Sequence, residues 1–112
     1  KQHGLWNKQT IMAHGCHLTE DEVKLCKEDA VGISHCPNSN FSLCSGWLDV
    51  RRLIDAGVKV GLGTDVAGGY SSSMLDAMRQ AIIASTVSKI TKDEKDGYAA
   101  LLPLAPRTAL AH

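Results

Sequence analysis

Three short apolar runs, TIMAHG (10–15), VGISH (31–35) and VKVGLGTD (58–65), each close on an ionisable residue and each give way to a helical pattern. Repetition of this kind narrows the fold more than any single motif does. Strand formers followed by helix, with no Asn-Gly hairpin signal between them, predict βα crossovers and a parallel sheet buried on both faces. The fold class is therefore α/β. In such sheets, active sites form outside the carboxyl ends of the strands. The three strands deliver His14, His35 and Asp65 to that edge, so residues 21 and 30 positions apart in sequence are expected on one rim.

Local signals support each unit. In HLTEDEVKLCKEDA (17–30), Thr19 and Glu22 stand in the S/T-x-x-E relation of a capping box, and Val23, Cys26 and Ala30 make an apolar stripe. Cys36-Pro37-Asn38-Ser39-Asn40 reads as a proline-led turn that ends the second strand. Trp47, Val50, Leu53 and Ile54 predict a second amphipathic helix, stopped by a left-handed Gly57. Met74, Met78, Ala81, Ile82 and Ser85 predict the buried face of a third. Taken singly, a histidine at a strand end can cap a loop and Asp65 can cap a turn. Taken together, two imidazoles and a carboxylate are the donor types that zinc accepts.

Composition restricts the partners. Of 112 residues, 44% are hydrophobic and 21% charged, enough for one modest core. Basic and acidic residues balance at 12 each, so nothing favours nucleic acid or an anionic membrane surface. No apolar stretch reaches membrane-spanning length, and KQHGLWNKQT lacks the apolar segment of a signal peptide; a cytosolic protein is expected. Cys16, Cys26, Cys36 and Cys44 show no C-x-x-C pairing and read as reduced core or loop thiols. Trp6 and Trp47 read as packing residues, while Tyr70 is left open between packing and substrate contact.

MAHGCHL (12–18), ISHCPNSNFSL (33–43) and GLGTDVAGGYSSSMLDAMRQA (61–81), in that order, resemble the guanine-deaminating branch of the zinc-dependent amidohydrolase superfamily. The resemblance covers roughly residues 5 to 88. It implies that the three units are strands 6 to 8 of a metal-dependent-hydrolase (β/α)8 TIM barrel, incomplete in this chain, over residues 1–90, with 91–112 a divergent or truncated tail. By the same resemblance, Asp65 is the carboxylate ligand of one zinc ion and a catalytic proton acceptor. His14 bonds the attacking water or the oxygen formed at the purine carbon. His35 and Asn40 shape the substrate loop, and Gly68 and Gly69 let backbone pass close to a flat ring, with positive φ if required.

The implied reaction is hydrolytic deamination of guanine to xanthine and ammonia, with a small purine base as partner and a homo-oligomer as the family's assembly. The resemblance also marks what is missing. Neither the H-x-H pair of a first strand nor the H-x-x-E element of a fifth occurs, and His3, His17 and His112 do not replace them. Weak zinc binding and negligible activity are expected of the chain alone. Another purine, pyrimidine or triazine aminohydrolase, or a catalytically silent interaction module, stands as the alternative.

Overall fold

The structure is a computed structural model that describes residues 3–92. Three strands, β1 (Ile11–Ala13), β2 (Gly32–His35) and β3 (Lys59–Leu62), form one sheet in that order. Both pairings are parallel, with Ala13 level with Ser34 and His35 level with Leu62. Two bonds continue the ladder past the strand ends: His14 N–H donates to Ser34 O (2.9 Å) and Gly63 N–H to His35 O (2.8 Å). The α/β class and the parallel sheet follow from the sequence as expected.

Helix α1 (Glu20–Glu28) starts where the capping box places it. Thr19 accepts from the Glu22 N–H and the Glu22 carboxylate accepts from the Thr19 N–H, which satisfies two free donors of the first turn. Val23 and Cys26 are buried on its stripe; Ala30 lies past the end of the helix at φ 56°. The next element departs from expectation. Pro37 does not lead a plain turn but opens a short helix, α2 (Pro37–Ser42). Proline suits a first helical position because the N–H it lacks would have no partner there.

Helix α3 (Val50–Asp55) is capped by the Asp49 side chain, which accepts from the Arg52 N–H, and Gly57 follows at φ 84°. Trp47 sits ahead of this helix and is partly exposed, whereas Val50 and Leu53 are buried. Helix α4 (Met74–Thr91) packs against α2 and β3. Its buried face is Ala77, Ala81, Ala84, Ser85 and Ser88, with Met74 and Met78 only flanking. Small side chains bring α4 close to its neighbours. The tail beyond Lys92, with the assignments made for it and for His112, lies outside the described residues.

The main core joins Val23 and Cys26 of α1 to Val31 and Ile33, to Leu48, Val50 and Leu53, and to Val58. Trp6 packs beside it and donates its indole N–H to Asp29 Oδ2 at 2.8 Å, as a packing residue with a polar handle should. All four cysteines are free: Cys26 and Cys36 are buried, and Cys44 is exposed.

Helices cover one face of the sheet only, so the expected burial of both faces does not hold among the described residues. On the other face Ile11 is 73% exposed, and Thr10, Gly32, Ser34, Lys59 and Gly61 border an open hollow of about 760 Å³. Among the described residues no helix is long and apolar enough to cross a membrane.

Because Leu53 is fully buried at the junction of α3 with the sheet, Leu53→Ala should lower the unfolding free energy by about 2–5 kcal/mol. A fall in the urea midpoint at constant slope is the expected reading, and an unchanged midpoint would contradict this core.

Candidate active site

The carboxyl edge of the sheet gathers the polar side chains. At the end of β1 the backbone turns left-handed through His14 (φ 69°) and Gly15 (φ 68°); after β3 it does so again at Asp65 (φ 54°) and Val66 (φ 38°). Three of these four residues carry a Cβ, and for a β-branched valine the left-handed region is costly, of the order of 1–3 kcal/mol. Strain of this kind persists only where the surroundings hold it.

Its result here is a pairing across β2. His14 Nε2 lies 3.7 Å from Asp65 Oδ2, the two side chains being 39% and 37% exposed. The other ring nitrogen, His14 Nδ1, is 2.8 Å from Asn40 Oδ1. Asn40 is itself buried and pinned: its N–H donates to Cys36 O, and its carbonyl accepts from the Ser45 N–H. A hollow of about 490 Å³ beside His14 is bordered by Cys16, His17, Ser39 and Ser45.

His35 stands level with the end of the row but not in its mouth. Its residue exposure is 0%, on the same face of β2 as buried Ile33, and neither ring nitrogen has a hydrogen-bond partner among the described residues. Burial, followed by the nearby His14, pushes its pKa from 6.5 down to about 4. The sheet edge therefore brings His14, Asn40 and Asp65 together, and sets His35 beneath them.

Gly68 and Gly69 have a local reason to lack side chains. A Cβ on Gly68 would stand 2.4 Å from Asp65 Oδ2 and 2.7 Å from Ser39 Oγ; on Gly69 it would stand 2.8 Å from Asn38 Cβ. The loop folds back onto the site, with the Gly68 N–H donating to Asp65 O at 2.7 Å. Neither glycine takes a positive φ. Tyr70 turns outward, accepting from the Gln80 amide, and is exposed.

Residues that the sequence pattern passes over are Asn38, Ser39 and Gly63. Asn38 and Ser39 are buried with side-chain polar atoms unpartnered among the described residues. A Cβ at Gly63 would lie 2.9 Å from Ser34 Oγ. The available signal is the run Asn38-Ser39-Asn40, three polar residues soon after a buried strand.

Imidazole and carboxylate suit zinc in kind. In number they fall short: among the described residues no three His, Cys, Asp or Glu side chains form a metal-holding group, whereas a catalytic zinc takes three protein ligands. The described residues do not by themselves hold the ion.

Residues 1–104 match the Amidohydrolase family, and the chain belongs to it. Guanine deaminase of Mus musculus is 53% identical over 91 residues, 81% of this chain and 20% of that protein. The crystal structure of guanine deaminase from C. acetobutylicum, with bound guanine in its active site, superposes with a TM-score of 0.82 at 33% identity, over 92% of this chain and 25% of that one. An adenosine deaminase from Xanthomonas campestris with bound zinc gives 0.78 at 32% identity, over 96% and 24%. The chain thus spans about a fifth of the length of the curated relative it matches.

Two outcomes are expected from this geometry. Gly68→Ala should destabilise the fold by about 1–3 kcal/mol through overpacking and shift the Asp65 side-chain resonances. Gly61→Ala, with nothing within 4 Å of the added Cβ, serves as the comparison; equal effects would contradict the close approach.

His35 sets a pH dependence. Since its folded pKa (about 4) lies below the ordinary 6.5, the unfolded chain takes up the proton first. The penalty is absent above 6.5, grows as pH falls through that value, and levels off below 4 at about 3 kcal/mol. His35→Leu should remove this component from the pH profile of unfolding; an unchanged profile would contradict a neutral buried imidazole.

Proposed function

We propose that residues 1–90 are strands 6 to 8 of an amidohydrolase barrel, with 91–112 a divergent tail, and that the barrel they belong to deaminates guanine to xanthine and ammonia. The observation that carries the reading is the His14–Asp65 approach at the carboxyl edge, the edge at which (β/α)8 enzymes build their sites. The identity to guanine deaminase along most of this chain supports guanine as the substrate. The sheet face left uncovered among the described residues suits this reading as well, because in a closed barrel that face is interior.

Asp65 is the carboxylate this chain offers to a zinc ion, whose remaining ligands lie outside the described residues. When bound, such an ion supplies hydroxide near neutral pH. The steps assigned to this chain are proton steps. Asp65 accepts a proton from the attacking water as oxygen adds to the amino-bearing carbon of the base. His14 hydrogen-bonds that water and holds it in line. The proton taken up is relayed to the amine, the C–N bond breaks, and ammonia leaves. Asn40 and His35 shape the mouth from below, and the Gly68–Gly69 backbone lies where a flat ring can approach.

Similarity to the adenosine deaminase of Xanthomonas campestris keeps a second reading, an aminohydrolase for another purine. Substrate profiles separate the two, with ammonia released from guanine and not from adenosine under the first.

The test is a chimaera in which this segment replaces its counterpart in the mouse enzyme. We expect guanine turnover from the chimaera and negligible turnover from the 112-residue chain alone. Asp65→Asn in the chimaera should lower kcat by about 10²–10⁴-fold. A folded chimaera whose turnover survives Asp65→Asn would overturn the assignment.

A further inference from the structure

We infer that Asn40 is a positioning residue that holds His14 as the Nδ1–H tautomer, so that Nε2 presents a lone pair, not a proton, to the mouth beside Asp65. One distance carries the proton placement and a second describes the space it faces. Asn40 Oδ1 sits 2.8 Å from His14 Nδ1, and a carbonyl oxygen only accepts, so the proton of that bond belongs to Nδ1. On the other side, Nε2 stands 3.7 Å from Asp65 Oδ2. With the proton on Nδ1, the Nε2 lone pair and the Asp65 carboxylate are two acceptors facing one space, which suits a proton donor lying between them.

The environment makes Asn40 fit for the task. It is 1% exposed, its backbone is bonded to Cys36 and Ser45, and the Ser45 hydroxyl also donates to its carbonyl at 3.3 Å. His14, in a left-handed turn, has its ring direction set by that one side-chain bond. The inference deepens the function proposed above and rests on it for its catalytic meaning: His14 receives hydrogen bonds from the attacking water and does not donate to the forming oxyanion. The proton placement itself does not depend on guanine being the substrate.

Ring nitrogen-15 spectra of the labelled 112-residue chain, at a pH where the imidazole is neutral, test it. His14 should show a pyrrole-type Nδ1 and a pyridine-type Nε2. In Asn40→Leu the two signals should exchange types, and in Asn40→Asp, whose carboxylate still accepts, the original pattern should return. An Nε2–H tautomer in the unaltered chain overturns the inference, as does retention of Nδ1–H in a folded Asn40→Leu variant. The unaltered spectrum is decisive even where Asn40→Leu does not fold. Since no turnover is measured, failure here is distinct from failure of the guanine reading.

Discussion

Parallel register is the constraint from which the site follows. Pairing Ala13 with Ser34 and His35 with Leu62 ends three chain segments at one edge within a residue or two of each other. No contact between His14 and Asp65 could arise from their separation along the chain. It arises because β2 lies between the two strands and the backbone turns left-handed at the exit of each. The helices maintain that register: α1 and α3 clamp Ile33 and Val58, and α4 closes on Leu62 through alanines.

The edge is polar in layers. Partly exposed His14 and Asp65 face the mouth; Asn40 bonds His14 from behind; His35, Asn38 and Ser39 are buried deeper. Buried polar atoms without protein partners cost stability, and a segment shaped only to fold would not collect them beneath a strained turn. Together with the glycine loop that descends to touching distance of Asp65, backbone strain and, among the described residues, unpartnered buried polar atoms concentrate at this edge. The opposite asymmetry, a sheet face that no helix covers among the described residues, suits a chain that spans only a fifth of its curated relative.

Features decided by neighbours along the chain are legible in the amino-acid sequence. The Thr19–Glu22 box and the Gly57 stop depend on contacts a few residues apart, and the three strands are marked by short apolar runs; each stands where the pattern puts it. Features decided by packing are not. Pro37 reads as a breaker until its strand is known to stop two residues earlier, which makes it a first helical position. Hydrophobicity displaces the expected face of α4 towards methionines, because it cannot show that a close helix neighbour selects alanine and serine. Gly68 reads as room for a flat ring, yet its local requirement is the close approach to Asp65, three positions earlier in a folded-back loop. The motif resemblance names His35 along with His14, but face parity on β2 decides that only one of them reaches the mouth.

The convergence of His14, Asn40 and Asp65 is most directly tested by side-chain nuclear Overhauser contacts in the 112-residue chain. Cross-peaks from the His14 ring to the Asp65 and Asn40 side-chain protons, alongside the backbone cross-peaks of the β1–β2–β3 ladder, are the predicted result. An intact ladder with no His14-to-Asp65 contact would contradict the account, because the strands would then be in register without forming the pair on which the site depends.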